Sequence, residues 1–247
     1  MRSWVLATVL SACGAPAADA PAAAPDQNTD QDIVGGTEDA GDPAVIAINL
    51  VSTGITVCSG TLIAPDVVLT AGHCPTSGVW VRQGSNVHSL GWFDHLSVGE
   101  SAKHPLYTAE GKPYDLALLR LNERVNVTPA RLSTTAPSAG ADLRHVGFGT
   151  TGDGSLTTGG IKRQVTYPIT KVDDFFVFSG APGKQTCMFD SGGPAFLGDE
   201  LVAVISDGND CHSDGWDTRI DRPDVRSWID GTLRQWGGTM TSSPAGG

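Results

Sequence analysis

Phe189-Asp190-Ser191-Gly192-Gly193-Pro194 is the stretch on which the reading of this chain turns. Alone it is a tight loop, a serine set between an acid and two glycines and closed by proline. Upstream, Tyr114-Asp115-Leu116-Ala117-Leu118-Leu119-Arg120-Leu121 places a carboxylate at the opening of an apolar run. Further upstream, Thr70-Ala71-Gly72-His73-Cys74 places an imidazole beside a cysteine. Singly these are a turn residue and a structural histidine. Together they run His, Asp, Ser along the chain, one of the orders in which a base, its orienting acid and a nucleophile occur. A serine hydroxyl is a poor nucleophile at neutral pH unless a neighbouring base takes its proton.

The surroundings are those of a strand-rich chain. Of 247 residues, 40% are hydrophobic and 17% charged, with 31 glycines and 15 prolines. That is enough apolar content for a core, and it excludes disorder and coiled coil. Ala44–Val51, Gly60–Ile63, Val67–Leu69, Val79–Arg82, Leu116–Leu121, Leu143–Gly147 and Leu201–Ser206 are short apolar or alternating runs, mostly bounded by turn residues, and read as strands. No helix-length periodic segment alternates with them, which argues against a parallel α/β sheet. Near the end, Val225, Trp228, Ile229, Leu233 and Trp236 fall at helical spacing behind Pro223, predicting one amphipathic helix.

Charge excludes one class of partner. The chain has 16 Lys and Arg against 27 Asp and Glu, a net charge of −11, and no basic cluster to follow a nucleic-acid backbone. No run of 18 apolar residues exists to cross a bilayer as a helix. His88, His95, His104, His145 and His212 lack paired ligand spacing, so neither a metal nor another cofactor is expected.

The N-terminus reads as an address. Met1-Arg2, the apolar Trp4–Leu10 and the small Ser11-Ala12 follow the order of a secretory signal. Leu10-Ser11-Ala12-Cys13 also resembles the bacterial lipoprotein lipobox, in which the cysteine is lipidated and becomes the new N-terminus. The alternative is cleavage after Ala18-Asp19-Ala20. The predicted organisation is a signal peptide over 1–13, an Ala/Pro-rich linker or pro-segment over 14–32, a globular domain over 33–236 and a flexible tail over 237–247. Residues 1–32 take Arg2 against Asp19, Asp26, Asp30 and Asp32, leaving 15 basic and 23 acidic residues, a net of −8. Export is the expectation, to the periplasm or outer membrane as a lipoprotein, or to the outside after release.

Ile33-Val34-Gly35-Gly36, standing ahead of the three motifs, completes a set that closely resembles the trypsin/chymotrypsin family of serine endopeptidases. The resemblance covers roughly residues 33–236, with echoes in Cys58-Ser59-Gly60-Thr61-Leu62-Ile63, His104-Pro105-Leu106-Tyr107 and Gly147-Phe148-Gly149. It implies an all-β fold of two packed six-stranded antiparallel β-barrels with the site between them and a C-terminal helix. It implies His73 as base and then acid, Asp115 as its orienting group, and Ser191 as the nucleophile that forms an acyl-enzyme. By the same resemblance the N–H groups of Phe189 and Ser191 bind the oxyanion, and Cys58 pairs with Cys74 and Cys187 with Cys211, leaving Cys13. Cleavage before Ile33 would free an ammonium group to pair with Asp190. Protein or peptide substrates follow; the sequence does not determine the oligomeric state, and a monomer is the expectation. A lipase or esterase is disfavoured, because the serine sits in Asp-Ser-Gly-Gly and not in Gly-x-Ser-x-Gly.

Three positions depart from the family pattern. Asp32 replaces the usual Lys or Arg before the cut, and residues 14–32 hold no basic residue, which excludes a trypsin-like activator at this junction. Phe189 stands where the family has glycine, which alone adopts left-handed backbone without cost. If the peptide flips, one oxyanion donor is lost and turnover falls about 10²–10³-fold; the protein is then a protease-like binding protein. If the peptide is held, the ring crowds the leaving-group side. Gln185 matches the base of the primary specificity pocket, with Ser206, Gly208 and Gly215 on its walls. Asp207, Asp214 and Asp217 lie near that wall, so a preference for basic residues and a polar pocket of broad preference both stand.

Overall fold

The computed structural model describes Met1 and residues 33–110, 112–152 and 158–237. The leader, Cys13, the linker and the tail beyond Gly237 lie outside the described residues. The chain opens with a two-residue strand, β1 (Thr37–Glu38), and continues into six strands: β2 (Val45–Leu50), β3 (Thr56–Ala64), β4 (Val67–Thr70), β5 (Val79–Arg82), β6 (Leu96–Lys103) and β7 (Ala117–Leu121). These six close a barrel in the order β2-β3-β4-β7-β6-β5, every pairing antiparallel. The apolar runs form these strands because they fill the interior: Val45 to Ile48, Val68, Leu69, Val81, Leu118 and Leu119 are fully buried.

The second half supplies β8 (Arg131–Leu132), β9 (Asp142–Gly147), β10 (Arg163–Val172), β11 (Phe176–Ser179), β12 (Pro194–Leu197), β13 (Glu200–Gly208) and β14 (Gly215–Arg219). The ring β9-β10-β11-β14-β13-β12 closes the second six-stranded antiparallel barrel, with β1 added on β10 and β8 lying parallel to β13. One helix, α1 (Pro223–Gln235), ends the fold with Pro223 in its first turn. It buries Val225, Ile229 and Leu233, the stripe expected from their spacing. A single apolar cluster runs from the first barrel through Val146, Phe148 and Val204 to Ile229, so the two barrels share a core.

Every strand expected from sequence is present, with no end moved by more than four residues. Not expected from sequence are β1, β6, β8, β10, β11, β12 and β14. β6 (LSVGESAK) is largely exposed and is held by backbone pairing to β5 and β7. β10 alternates buried and exposed positions, yet Pro168 interrupts its pattern, and proline lowers the strand reading of any segment.

Candidate active site

Asp115 stands two residues ahead of β7, at the centre of a tight turn in which the Leu116 N–H donates to the Tyr114 carbonyl at 2.7 Å. The buried run Leu116–Leu119 that follows draws the carboxylate fully out of solvent. Three donors meet it there. The His73 backbone N–H reaches Oδ1 at 2.7 Å, the His73 ring Nδ1 lies 2.7 Å from Oδ2, and Ser206 Oγ donates to Oδ2 at 2.6 Å. Burial pushes this carboxyl up, but the His73 and Ser206 hydrogen bonds and the nearby imidazole outweigh it and hold Asp115 below the usual carboxylate range. An ionised carboxylate only accepts, so Nδ1 carries the proton and the lone pair of neutral His73 is on Nε2. The ring is about a quarter exposed and stands at the junction of the barrels.

Ser191 comes to this place through the packing of its own loop against the histidine loop. Its carbonyl accepts from the Ser59 N–H at 2.9 Å and lies 3.6 Å from Cys74 Sγ. Gly192 lies so close beneath that a Cβ there would stand 2.1 Å from Thr70 Oγ1 and 2.3 Å from the Ser59 carbonyl, and its φ is +86°. Only glycine fits. Disulfides Cys58–Cys74 and Cys187–Cys211 clamp the two loops, as the resemblance implied. Among the described residues no hydrogen bond joins Ser191 Oγ to His73; catalytic hydrogen bonds are often long before substrate binds.

Phe189 has φ +76°, the left-handed backbone that glycine ordinarily supplies. Two contacts fix it. The Thr150 N–H donates to the Met188 carbonyl at 2.8 Å, and Ser59 Oγ donates to the Phe189 carbonyl at 3.0 Å. With its carbonyl tied to Thr150, the Met188–Phe189 peptide turns its N–H to the opposite side. The N–H groups of Cys187, Asp190, Gly192 and Gly193 all find acceptors. Among the described residues those of Phe189 and Ser191 find none. The Phe189 ring leans on Gly159, with Cδ2 3.2 Å from where a Cβ would stand.

Asp190 turns inward and is fully buried, accepting from the Gly149 and Cys187 N–H groups, each at 2.8 Å. Burial pushes its carboxyl up to about 6, only partly opposed by those two donors and by the charges of His145 and Arg163. Gly149 leaves room for the carboxylate, which a Cβ would approach to 2.4 Å. The Ile33 side chain is buried against Val165 and Tyr167, and in the uncut chain its nitrogen belongs to the Asp32–Ile33 peptide.

The specificity residues are only partly brought together. A cavity of about 320 Å³ borders Ser191 and includes Thr186, Met188, Ile205, Asp207, Gly208 and Asp210 among its walls. Of the four residues expected there, only Gly208 lines it. Gln185 is spent on its neighbours: its amide oxygen accepts from Tyr167 Oη at 2.7 Å and from the Thr186 N–H, and its nitrogen donates to the Ser213 carbonyl at 2.8 Å. Ser206 is turned to Asp115, and Gly215 lies behind, against Gln185. The charged groups in the wall are Asp207 and Asp210. Asp214 is exposed, and Asp217 is buried in an ion pair with His145 at 2.8 Å. Sequence reasoning missed Ser206 as the third partner of Asp115 and Thr150 as the anchor of Met188. Ser206 lies within β13 of the second barrel and meets Asp115 only when the barrels pack, and Thr150 acts through its backbone, so neither leaves a local signal.

Residues 33–229 match the Trypsin family. The chain is 30% identical to trypsin epsilon of Drosophila erecta over 226 residues, covering 82% of this chain and 88% of that protein. It is 31% identical to trypsin 5G1 of Aedes aegypti over 222 residues, with 80% and 83% covered. It is 29% identical to a trypsin of Sarcophaga bullata over 204 residues, with 72% and 79% covered.

Proposed function

Because the chain belongs to the trypsin family and is a serine endopeptidase, we propose that His73, Asp115 and Ser191 carry its peptide-bond hydrolysis. Ser191 Oγ attacks the scissile carbonyl while His73 Nε2 takes its proton, and Asp115 stabilises the imidazolium that results. The carbonyl oxygen, now negative, is met by the N–H groups of Phe189 and Ser191. His73 returns the proton to the leaving amine and leaves an ester on Ser191, which water hydrolyses with His73 again as base. The observation that carries this reading is the pinned Met188–Phe189 peptide, with the N–H groups of Phe189 and Ser191 finding no acceptor among the described residues. It favours catalysis over the protease-like binding protein, whose case rests on a flipped peptide.

The same reading extends to activation and location. Cleavage between Asp32 and Ile33 turns the Ile33 nitrogen into an ammonium group, which pairs with the buried Asp190 carboxylate. The cut is made by a protease tolerant of Asp32 or by the protein itself. Residues 1–13 direct export, Cys13 carries a lipid anchor, and the cut releases the domain from it, because both disulfides lie within residues 58–211.

Peptide-library hydrolysis tests the assignment, with the chain assayed uncut and after cleavage before Ile33. Turnover that appears on cleavage and disappears in Ser191→Ala supports it. A Ser191→Ala protein as active as the native one would remove Ser191 from the mechanism.

A further inference from the structure

The loop leading into Asp115 carries one more charged contact across the cleft. Lys112 Nζ donates to Asp207 Oδ2 at 2.6 Å, joining the segment ahead of β7 to the end of β13. Asp207 lines the cavity that Ser191 borders, and it follows Ser206, the residue that holds Asp115. The bridge therefore engages a wall residue of that cavity, within the same few residues that fix the triad.

The loop's shape is held for this contact. Lys112 and Tyr114 both have left-handed backbone, with φ +48° and +55°, a conformation that disfavours residues other than glycine and persists only where the surroundings impose it. Tyr114 is fixed from the other side: its ring stacks on His104 at 4.5 Å, and its hydroxyl donates to Asp224 at the start of α1. What the loop presents to Asp207 is an ammonium on a four-carbon stem, the group that a lysine of a substrate would itself offer. The other carboxylate of the wall, Asp210, accepts through Oδ1 from the His212 and Ser213 N–H groups and the Ser213 hydroxyl of its own turn.

We propose that Lys112 is an internal competitor for Asp207, so that a substrate placing a cationic side chain in the cavity beside Ser191 binds by displacing it. Lys112 and Asp207 thus set how strongly this peptidase prefers basic residues, and the pair lowers a preference that Asp207 alone would give. This rests on the reading that the cavity seats the residue whose carbonyl Ser191 attacks.

The test uses two peptides identical except for Lys or norleucine at that residue. They are hydrolysed by the chain cut before Ile33, in its native form and as Lys112→Gln and Asp207→Asn. The Lys-to-norleucine ratio of kcat/KM should rise about two- to fivefold in Lys112→Gln, the size of a partly exposed ion pair, and fall below native in Asp207→Asn. An unchanged or lower ratio in Lys112→Gln, with native melting behaviour, overturns the proposal. If no form cuts either peptide, the peptidase reading fails separately, and binding of n-butylammonium, followed by the shift in Tm, decides. Tighter binding in Lys112→Gln and weaker in Asp207→Asn than in the native chain supports competition; equal binding in all three refutes it.

Discussion

Ser59 holds the Phe189 loop from beneath: its hydroxyl donates to the Phe189 carbonyl at 3.0 Å and accepts from the Phe148 N–H at 2.9 Å. One buried side chain of the first barrel thereby ties two segments of the second. It stabilises a left-handed phenylalanine that sterics alone would disfavour by about 1–2 kcal/mol.

Ser59→Ala therefore costs more than a hydroxyl. The Phe148 N–H is left buried without its acceptor, for which about 1–3 kcal/mol of stability is lost. With Phe189 less constrained, kcat should fall by roughly tenfold or more, toward the 10²–10³ of a missing oxyanion donor. Phe189→Gly, in contrast, keeps the N–H and the permitted φ, so its kcat stays within a few-fold of native. Steady-state kinetics of the two variants checks both, and a large gain in Phe189→Gly would show that the ring obstructs the site.

Ser206→Ala removes one of the three donors to Asp115. A hydrogen bond to a charged group is worth about 1.5–3 kcal/mol, and that loss is expected in urea unfolding at pH 7. The Asp115 carboxyl is depressed in the folded chain, so its contribution is present above the ordinary carboxylate pKa and disappears as pH falls through the depressed value. The variant should lose stability chiefly at neutral pH and converge on the native protein in acid.

Asp190 gives the opposite sign. Its carboxyl is raised to about 6 by burial, so the folded uncut chain binds a proton more tightly than the unfolded chain does. Stability from this group is present below pH 4 and declines as pH rises toward 6, by about 3 kcal/mol in all. Asp190→Asn should flatten that slope in the uncut chain. In the chain cut before Ile33 the ammonium group favours the carboxylate, and the decline should be absent. Unfolding midpoints at pH 4 and pH 7 for the three forms decide the matter.

The two disulfides close loops separated by 16 and 24 residues, and loss of either should cost about 3 kcal/mol on the chain-entropy account. Their activity effects differ by location. Cys187 and Cys211 stand in the wall of the cavity beside Ser191, so replacing both with alanine should broaden the preference for the cut residue. Replacing Cys58 and Cys74, which flank the histidine loop, should lower kcat with the preference unchanged. Library profiles of the two double variants test the distinction.

The sequence by itself determined the triad candidates, a strand-rich body and the closing helix, and the family resemblance implied that the strands form two barrels. Motif order and apolar runs such as Val45–Ile48 and Leu116–Leu119 are local properties of the chain, and burial of those runs draws the strands together. Pocket chemistry was not legible. Gln185 stands six residues before Ser191, but whether its amide faces the cavity depends on Tyr167 and Ser213, which reach it only after the second barrel closes. The conformation of Phe189 was likewise undecided by residue type, since a non-glycine at a glycine position either flips or is held. Tertiary structure decided it, because the Thr150 amide and the Ser59 hydroxyl come from segments 39 and 130 residues away. Hydrogen bonds of that range have no period and no neighbour in the sequence, and they exist only once the barrels have packed.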